Sequence, residues 1–275
     1  MNRLEEAGHD IALVVTQPDR AAGRGLELHP SGTKRLALQL GLEVFQPERI
    51  RDELAQTRIR ELGADVMVVV AYGQILPASL LNAPRLGTLN VHASLLPRHR
   101  GPAPIEWSIL SGDTQTGVTI MQMDAGVDTG AILAQSHVPI PPDLTASRLE
   151  TQLAELGAGL MVDTLDKLQR GAITPMSQPA DGATHAPRLK SEDGKLNPAT
   201  MSAQEIDRRV RALSARLGCW ITLNGAEVKV IRGHLNGVAS DGIPVPTADG
   251  TYVVDEVQPP GGRRMSAAAW ARGRR

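Results

Sequence analysis

The chain has 275 residues, of which 41% are hydrophobic and 21% charged, and its formal net charge is −1. These values are ordinary for a globular protein of two domains, and the single Cys219 excludes a disulfide framework or a multi-cysteine metal site. No apolar run approaches the roughly 18 residues of a membrane span, and the N-terminus has no signal-peptide pattern. The sequence therefore predicts a cytoplasmic protein with no membrane partner.

The chain up to residue 168 alternates predicted strands with predicted helices. After the end of a first helix at Gly8, apolar and β-branched runs predict strands at 11–16, 65–71, 86–91, 118–123 and 132–138. Helical patterns lie at 33–40, 48–62 and 145–168, and residues 17–28 are predicted to form a loop. Strands that alternate with helices in this way predict an α/β domain with a parallel sheet.

The chain beyond residue 168 changes character. Residues 171–198 are rich in Pro, Gly, Ala and Ser and predict a linker, and 202–213 predicts a helix. Strands at 220–223 and 228–230 flank an Asn224–Gly225 turn, and short strands continue to Val257, as in a small β-barrel. The predicted organisation is a first domain at 1–172, a linker at 173–198 and a second domain at 199–275.

Charge is distributed unevenly between the two halves. Residues 190–275 carry 13 Lys and Arg against 9 Asp and Glu, a balance of +4, whereas residues 1–189 have a balance of −5. A basic part joined to an acidic part predicts a polyanionic partner for the C-terminal domain. Chance variation of surface charge gives the same pattern, so the charge alone leaves this question open.

Polar residues with the chemistry of acyl transfer stand where the predicted strand 86–91 ends. Asn90 and His92 are two residues apart, so their side chains point to one face of an extended backbone. An amide can donate to an oxyanion, and a neighbouring imidazole can accept a proton. A second polar cluster, 124–130, contains Asp128, whose carboxylate would orient such a histidine. A structural histidine and turn-forming polar residues are the alternative interpretation.

Two longer motifs favour the catalytic interpretation. The segment NVHASLLPRHRGPAPI, followed by TGVTIMQMDAGVDTG, closely resembles the signature of the folate-dependent formyltransferases. The resemblance implies a Rossmann-like sheet in the first domain and an OB-like β-barrel in the second. It also implies a monomer without a metal, with 10-formyltetrahydrofolate as formyl donor and the α-amine of methionyl-initiator tRNA as acceptor.

The resemblance also implies roles for individual residues. Asn90, His92 and Asp128 match the catalytic trio of the family. The residues that match its folate-contacting segments are Ser94, Leu95, Leu96, Pro97, Val70, Ala71, Tyr72 and Gly73. Arg24 matches a basic residue in a loop that approaches the tRNA acceptor end. The positions of Arg208, Arg209, Arg211 and Lys229 in the basic second domain predict further tRNA contacts.

Members of the family begin with a further strand that is central in the sheet, and this sequence starts after it, which predicts an unpaired sheet edge. Three alternatives to tRNA formylation remain open from the residues. One is a hydrolase or dehydrogenase-type domain that acts on 10-formyltetrahydrofolate. The second is a sugar-nucleotide N-formyltransferase. The third is a non-catalytic binder of folate or RNA. The catalytic trio does not distinguish tRNA formylation from the first two alternatives, whereas MQMDAGVDTG, the linker and the basic C-terminal domain favour tRNA.

Overall fold

The computed structural model describes residues 1–22, 27–235 and 241–273. Its strands are β1 Val14–Val15, β2 Arg20–Ala22, β3 Glu27–His29, β4 Val44–Phe45, β5 Met67–Val69, β6 Thr88–His92, β7 Gln115–Gln122, β8 Ile132–Pro139, β9 Cys219–Leu223, β10 Ala226–Leu235, β11 Ile243–Pro246, β12 Thr251–Gln258 and β13 Met265–Ser266. Its helices are α1 Asn2–Glu6, α2 Gly32–Gln39, α3 Glu53–Glu61, α4 Ala78–Leu81, α5 Pro104–Leu110, α6 Ala146–Gln169, α7 Ala203–Leu213 and α8 Ala267–Arg272, with a 3₁₀ turn at Ser191–Gly194.

The chain divides into two compact units. The first unit comprises residues 1–97, 118–136 and 154–183, and the second comprises 98–117, 137–153 and 184–275. The chain thus crosses between the units several times, whereas the predicted boundaries at 172 and 198 follow chain order. Those domain boundaries remain a prediction. The part of the predicted linker up to residue 183 belongs to the first unit.

The first unit is built on a four-stranded sheet with the order β5-β6-β7-β8. Strands β5 and β6 are parallel, whereas β6 and β7 are antiparallel, so the sheet is mixed and not purely parallel as predicted. Helix α6 runs unbroken through Gly157, where a Cβ would come within 2.8 Å of Val91 Cγ1 and 3.3 Å of Val118 Cγ1. The glycine therefore lets the helix approach β6 and β7 closely. The predicted α/β class is confirmed.

A separate two-stranded parallel sheet joins β1 to β4. Within the described ranges, β1 pairs with β4 and β5 pairs with β6. Side chains from both sheets nevertheless share one core. Val15, Met67 and Val69 pack against a buried cluster whose members are Ile50, Leu76, Leu80 and Leu81. Residues 17–28, predicted as a loop, include the hairpin strands β2 and β3.

The second unit contains an antiparallel half-barrel in which β11, β12, β10 and β9 are neighbours in that order and β13 pairs with β12. The turn between β9 and β10 has positive φ at both Asn224 (48°) and Gly225 (75°), which is the two-residue hairpin geometry predicted for this dipeptide. Ser202 caps the N-terminus of helix α7, and its side chain accepts a hydrogen bond from Glu205 N. The predicted OB-like second domain is confirmed. Among the helices described, none is both long and apolar enough to cross a bilayer.

Candidate active site

The site is centred on the carboxyl end of β6. The register places Asn90 beside Val69 of β5 and Met121 of β7, and places His92 opposite Thr119 of β7. Asn90 and His92 lie two residues apart on this strand, so the sheet carries both on one face, as predicted. His92 is buried, with 5% of its surface exposed, and Asn90 is partly exposed. A buried imidazole at a strand end is shielded from the solvent dielectric, so nearby charges act on it strongly.

Asp128 is the charged partner of this imidazole. Its Oδ2 lies 3.7 Å from His92 Nδ1, and the two side chains are 16% and 6% exposed. This separation is within the range of an ion pair but too long for a direct hydrogen bond. Catalytic hydrogen bonds are often longer in ligand-free proteins and tighten when substrate binds. The structure therefore brings His92 and Asp128 together, as the sequence predicted.

The loop that carries Asp128 is fixed by side-chain contacts. Asp124 Oδ1 accepts hydrogen bonds from Gly126 N at 3.0 Å and from Thr129 Oγ1 at 2.8 Å, which closes the turn. Asp128 itself has φ 53°, a left-handed conformation that costs a non-glycine residue about 1–3 kcal/mol. Gln178 Nε2 donates to the carbonyl oxygens of Asp128 and Gly130, each at 2.8 Å, and so stabilises the turn.

Both predicted folate-binding segments follow paired strands of the sheet. Ser94, Leu95, Leu96 and Pro97 follow β6, and Val70, Ala71, Tyr72 and Gly73 follow β5. In the first segment, Ser94 and Leu96 are buried, whereas Leu95 and Pro97 are partly exposed. Leu96 packs with Met121 and Ile132 in a core cluster, so its side chain anchors the segment. Folate contact through any of these residues remains a prediction.

The segment after β5 has the features of a strained surface loop. Val70 is 60% exposed, and Ala71 and Gly73 are also exposed. Ala71 has φ 47° and Gly73 has φ 81°, so a non-glycine residue again adopts the left-handed region. Burial raises the pKa of Tyr72, and its backbone oxygen accepts a 2.9 Å hydrogen bond from Gln17 Nε2. Folate contact through this loop remains a prediction.

The structure describes four of the five predicted tRNA-binding residues. Arg24 lies outside the described residues, whereas the other four belong to the second unit. Arg211 Nε donates to Asp207 Oδ2 at 2.7 Å and Nη1 donates to Leu144 O at 3.0 Å, with 15% of its side chain exposed.

The remaining three basic residues also make contacts within the second unit. Arg209 Nη1 donates to Asp193 O at 2.6 Å. The guanidinium of Arg208 lies over Gly112, and the Lys229 stem lies over Gly218. Arg211 therefore has a structural role in this unit, and tRNA contact by all five residues remains a prediction.

Three residues that support the site were missed by the sequence analysis. Gln178 lies in the segment predicted as a linker, where no periodicity distinguishes it from its Pro- and Ala-rich neighbours. Thr119 and Gln135 lie beneath the Ser94–Pro97 segment, and in the sequence neither is distinguished from the other residues of its strand. Only the three-dimensional pairing of β6, β7 and β8 shows their role.

The described part of the chain has no group of three or more His, Cys, Asp or Glu side chains placed to hold a metal ion. The groups that are present are an amide donor, an imidazole and a carboxylate at one strand end. Such a set can stabilise an oxyanion and move a proton, which are the two requirements of acyl transfer to an amine.

Comparison with known proteins supports this chemistry. A family model described as formyl transferase matches residues 1–165, and one described as formyl transferase, C-terminal domain, matches residues 188–275. A methionyl-tRNA formyltransferase of Halorhodospira halophila is 47% identical over 287 residues, which cover 100% of this chain and 92% of the relative. The enzyme of that name from Dechloromonas aromatica is 44% identical over 272 residues, which cover 95% of this chain and 87% of the relative.

Solved structures share the fold at lower identity. An N-formyltransferase from Helicobacter canadensis, in complex with folinic acid and dTDP-3-aminofucose, is 16% identical with a TM-score of 0.65, covering 93% of this chain and 100% of that one. HypX from Aquifex aeolicus, in complex with tetrahydrofolic acid, is 18% identical with a TM-score of 0.64. The match covers 86% of this chain and 44% of HypX. From the family matches and the full-length relatives together, this chain belongs to the formyl transferase family.

Proposed function

We propose that this protein is a methionyl-tRNA formyltransferase, which moves the formyl group of 10-formyltetrahydrofolate to the α-amine of methionyl-initiator tRNA. The observation that carries the proposal is the pairing of buried His92 with Asp128 at the end of β6, on the strand that also presents Asn90. Near full-length similarity to enzymes of that name favours tRNA as the acceptor over a sugar nucleotide or water. We expect this activity in the cytoplasm.

The geometry suits a reaction through a tetrahedral intermediate. The methionyl amine forms a C–N bond with the formyl carbon, and the formyl oxygen becomes an oxyanion that the Asn90 amide stabilises by hydrogen bonding. His92 accepts the proton that the new ammonium group loses, and the Asp128 carboxylate stabilises the imidazolium. The bond from the formyl carbon to N10 of the folate then breaks, and N10 takes up a proton, which releases tetrahydrofolate.

The loops around the trio have separate roles in this proposal. The segments at 70–73 and 94–97 bind the folate, since they follow the adjacent strands β5 and β6. The tRNA is contacted by Arg24, Arg208, Arg209 and Lys229. Arg211 contributes indirectly, by stabilising the second unit through its hydrogen bonds. The polyanionic partner is consistent with the +4 balance of residues 190–275.

An acceptor comparison tests the function. The protein is incubated with 10-formyltetrahydrofolate labelled in its formyl group and with methionyl-initiator tRNA, a dTDP-amino sugar, or no acceptor. We expect label to enter methionyl-tRNA, with tetrahydrofolate released in equal amount. Labelled amino sugar, or free formate formed at the same rate without any acceptor, would overturn the proposal. A catalytically silent protein that still binds folate would identify a binder.

A further inference from the structure

Three hydrogen bonds meet at one buried hydroxyl beneath the Ser94–Pro97 segment. Thr119 Oγ1 donates to Ser94 O at 2.6 Å, and it accepts from Leu96 N at 3.1 Å and from Gln135 Nε2 at 2.9 Å. Thr119, which has no exposed surface, lies on β7 directly opposite His92. A hydroxyl offers one hydrogen and two acceptor positions, so this group uses its full capacity.

The same network occupies both backbone polar groups of Leu96. Its N–H donates to Thr119, and its C=O accepts a second hydrogen bond from Gln135 Nε2 at 2.9 Å. Its side chain is 3% exposed and packs with Met121 and Ile132. The segment is therefore attached to β7 and β8 through the N–H, the C=O and the side chain of a single residue.

This attachment leaves the neighbouring residues of the segment available to a ligand. Leu95 and Pro97, on either side of Leu96, are partly exposed, whereas Ser94 and Leu96 are buried. The alternation means that Thr119 and Gln135 determine which side chains the segment presents to solvent. A rotation of the segment would expose Leu96 and break hydrogen bonds to buried groups, each of which is costly to leave unmade.

We propose that Thr119, together with Gln135, is a positioning residue that holds Ser94–Pro97 in the conformation that binds the folate donor. The proposal rests on the proposed function, because it assigns this segment to folate. Neither residue touches the reacting atoms in this account. They act through the segment, and their effect is on donor affinity and not on the chemistry of the transfer.

The test compares Thr119→Val, which keeps the size of the side chain and removes the hydroxyl, with Thr119→Ser, which keeps the hydroxyl. We measure the Kd of 5-formyltetrahydrofolate, which is not a formyl donor in this transfer, and the KM values for 10-formyltetrahydrofolate and methionyl-tRNA. Thr119→Val should weaken the Kd and raise the donor KM by about tenfold or more, with the tRNA KM unchanged. Thr119→Ser should stay within about threefold of the wild type.

A second pair of variants guards against loss of folding, because Thr119 is buried. Gln135 is at the surface apart from its amide. In Gln135→Glu the carboxylate has no hydrogens to donate to Leu96 O, so it should raise the donor KM by several-fold, as should Gln135→Ala. His137→Ala, two residues along β8 and also exposed, is the control and should leave both KM values unchanged.

The outcomes separate this proposal from the function on which it rests. Folded Thr119→Val and Gln135→Ala proteins that bind 5-formyltetrahydrofolate as tightly as the wild type would overturn the positioning role. A lower kcat in these variants, with the donor KM unchanged, would show a merely structural role and would also overturn the proposal. If the wild type itself binds no folate, the proposed function has failed.

Discussion

Asn90 lies two residues before His92 on β6, and in the proposed mechanism its amide stabilises the oxyanion. We expect Asn90→Ala to lower kcat by about 10²- to 10³-fold, the usual result of removing one oxyanion-hole donor. The KM values and the melting temperature should change little, because Asn90 is partly exposed. Asn82→Ala, an exposed asparagine at the end of α4, is the control. An Asn90→Ala enzyme with kcat within threefold of the wild type would contradict the role.

Cys219 provides a test of burial through pH. Burial raises the pKa of this thiol to about 12, against an ordinary value of 9.0, although the charges of Arg209 and Lys229 oppose the shift. The unfolded chain therefore ionises first as the pH rises. The stabilising contribution of the neutral thiol is complete below pH 9.0 and is lost progressively between there and about 12.

The measurement compares thermal unfolding of the wild type and Cys219→Ala from pH 8 to pH 11. The smaller side chain lowers the stability of the variant by an amount independent of pH. Above pH 9 the free energy of unfolding of the wild type should fall by about 1 kcal/mol per pH unit more than that of Cys219→Ala. The difference in stability between the two proteins therefore narrows. Parallel curves over the whole range would show that the thiol is not shielded as the structure indicates.

At the scale of single residues, the sequence identified the candidate reacting groups but not the residues that support them. Asn90, His92 and Asp128 lie within motifs whose wording is specific, and the structure places His92 beside Asp128. Gln178 supports the same turn from 50 residues away in the chain, through backbone oxygens that impose no pattern on the sequence. Supports of this kind depend on tertiary contacts that local sequence does not encode.

Helix α6 shows how two glycines in one element differ. A Cβ at Gly157 would meet Val91 and Val118, whereas a Cβ at the exposed Gly159 would meet nothing within 4 Å. We expect Gly157→Ala to destabilise the fold by about 1–3 kcal/mol, as overpacking does. Gly159→Ala should stabilise it by about 0.5–1 kcal/mol, because alanine loses less backbone entropy in a helix. Urea unfolding of both variants measures this, and changes of the same sign would contradict the packing of α6.

Helix α7 and strand β10 carry basic residues with different expected roles. Arg211→Ala leaves the carboxylate of Asp207 and the carbonyl of Leu144 without this partner, so we expect about 1–3 kcal/mol of destabilisation. Lys229→Ala should instead raise the KM for methionyl-tRNA several-fold and leave stability within about 0.5 kcal/mol. Thermal unfolding and steady-state kinetics of the two variants separate the roles. A Lys229→Ala protein with unchanged tRNA kinetics would remove that residue from the interface.

Elements with strong local signals were predicted well, and those that depend on neighbours were not. The Asn224–Gly225 hairpin and helix α7, with its Ser202 cap, follow from turn and capping chemistry. The strand predicted at 11–16 is only two residues long in the structure, where it pairs with β4. Helix α3 begins at Glu53, five residues later than predicted, since periodicity does not mark its start.

The whole molecule combines a mixed α/β sheet with an antiparallel half-barrel, and composition with strand order predicted both classes. The distribution of chain segments between the two units was not predicted. Residues 98–117 and 137–153 belong to the second unit although they flank strands of the first. Hydrophobic patterns identify elements and their buried faces, but they do not determine with which neighbour an isolated segment packs.

In the proposed mechanism His92, paired with Asp128, accepts the proton of the methionyl amine during formyl transfer. The most direct measurement is the single-turnover rate of formyl transfer to methionyl-tRNA by His92→Ala, with 10-formyltetrahydrofolate saturating. We predict a rate about 10²-fold or more below that of the wild type, with the folate Kd and the melting temperature nearly unchanged. A folded His92→Ala enzyme that transfers the formyl group at nearly the wild-type rate would contradict the account.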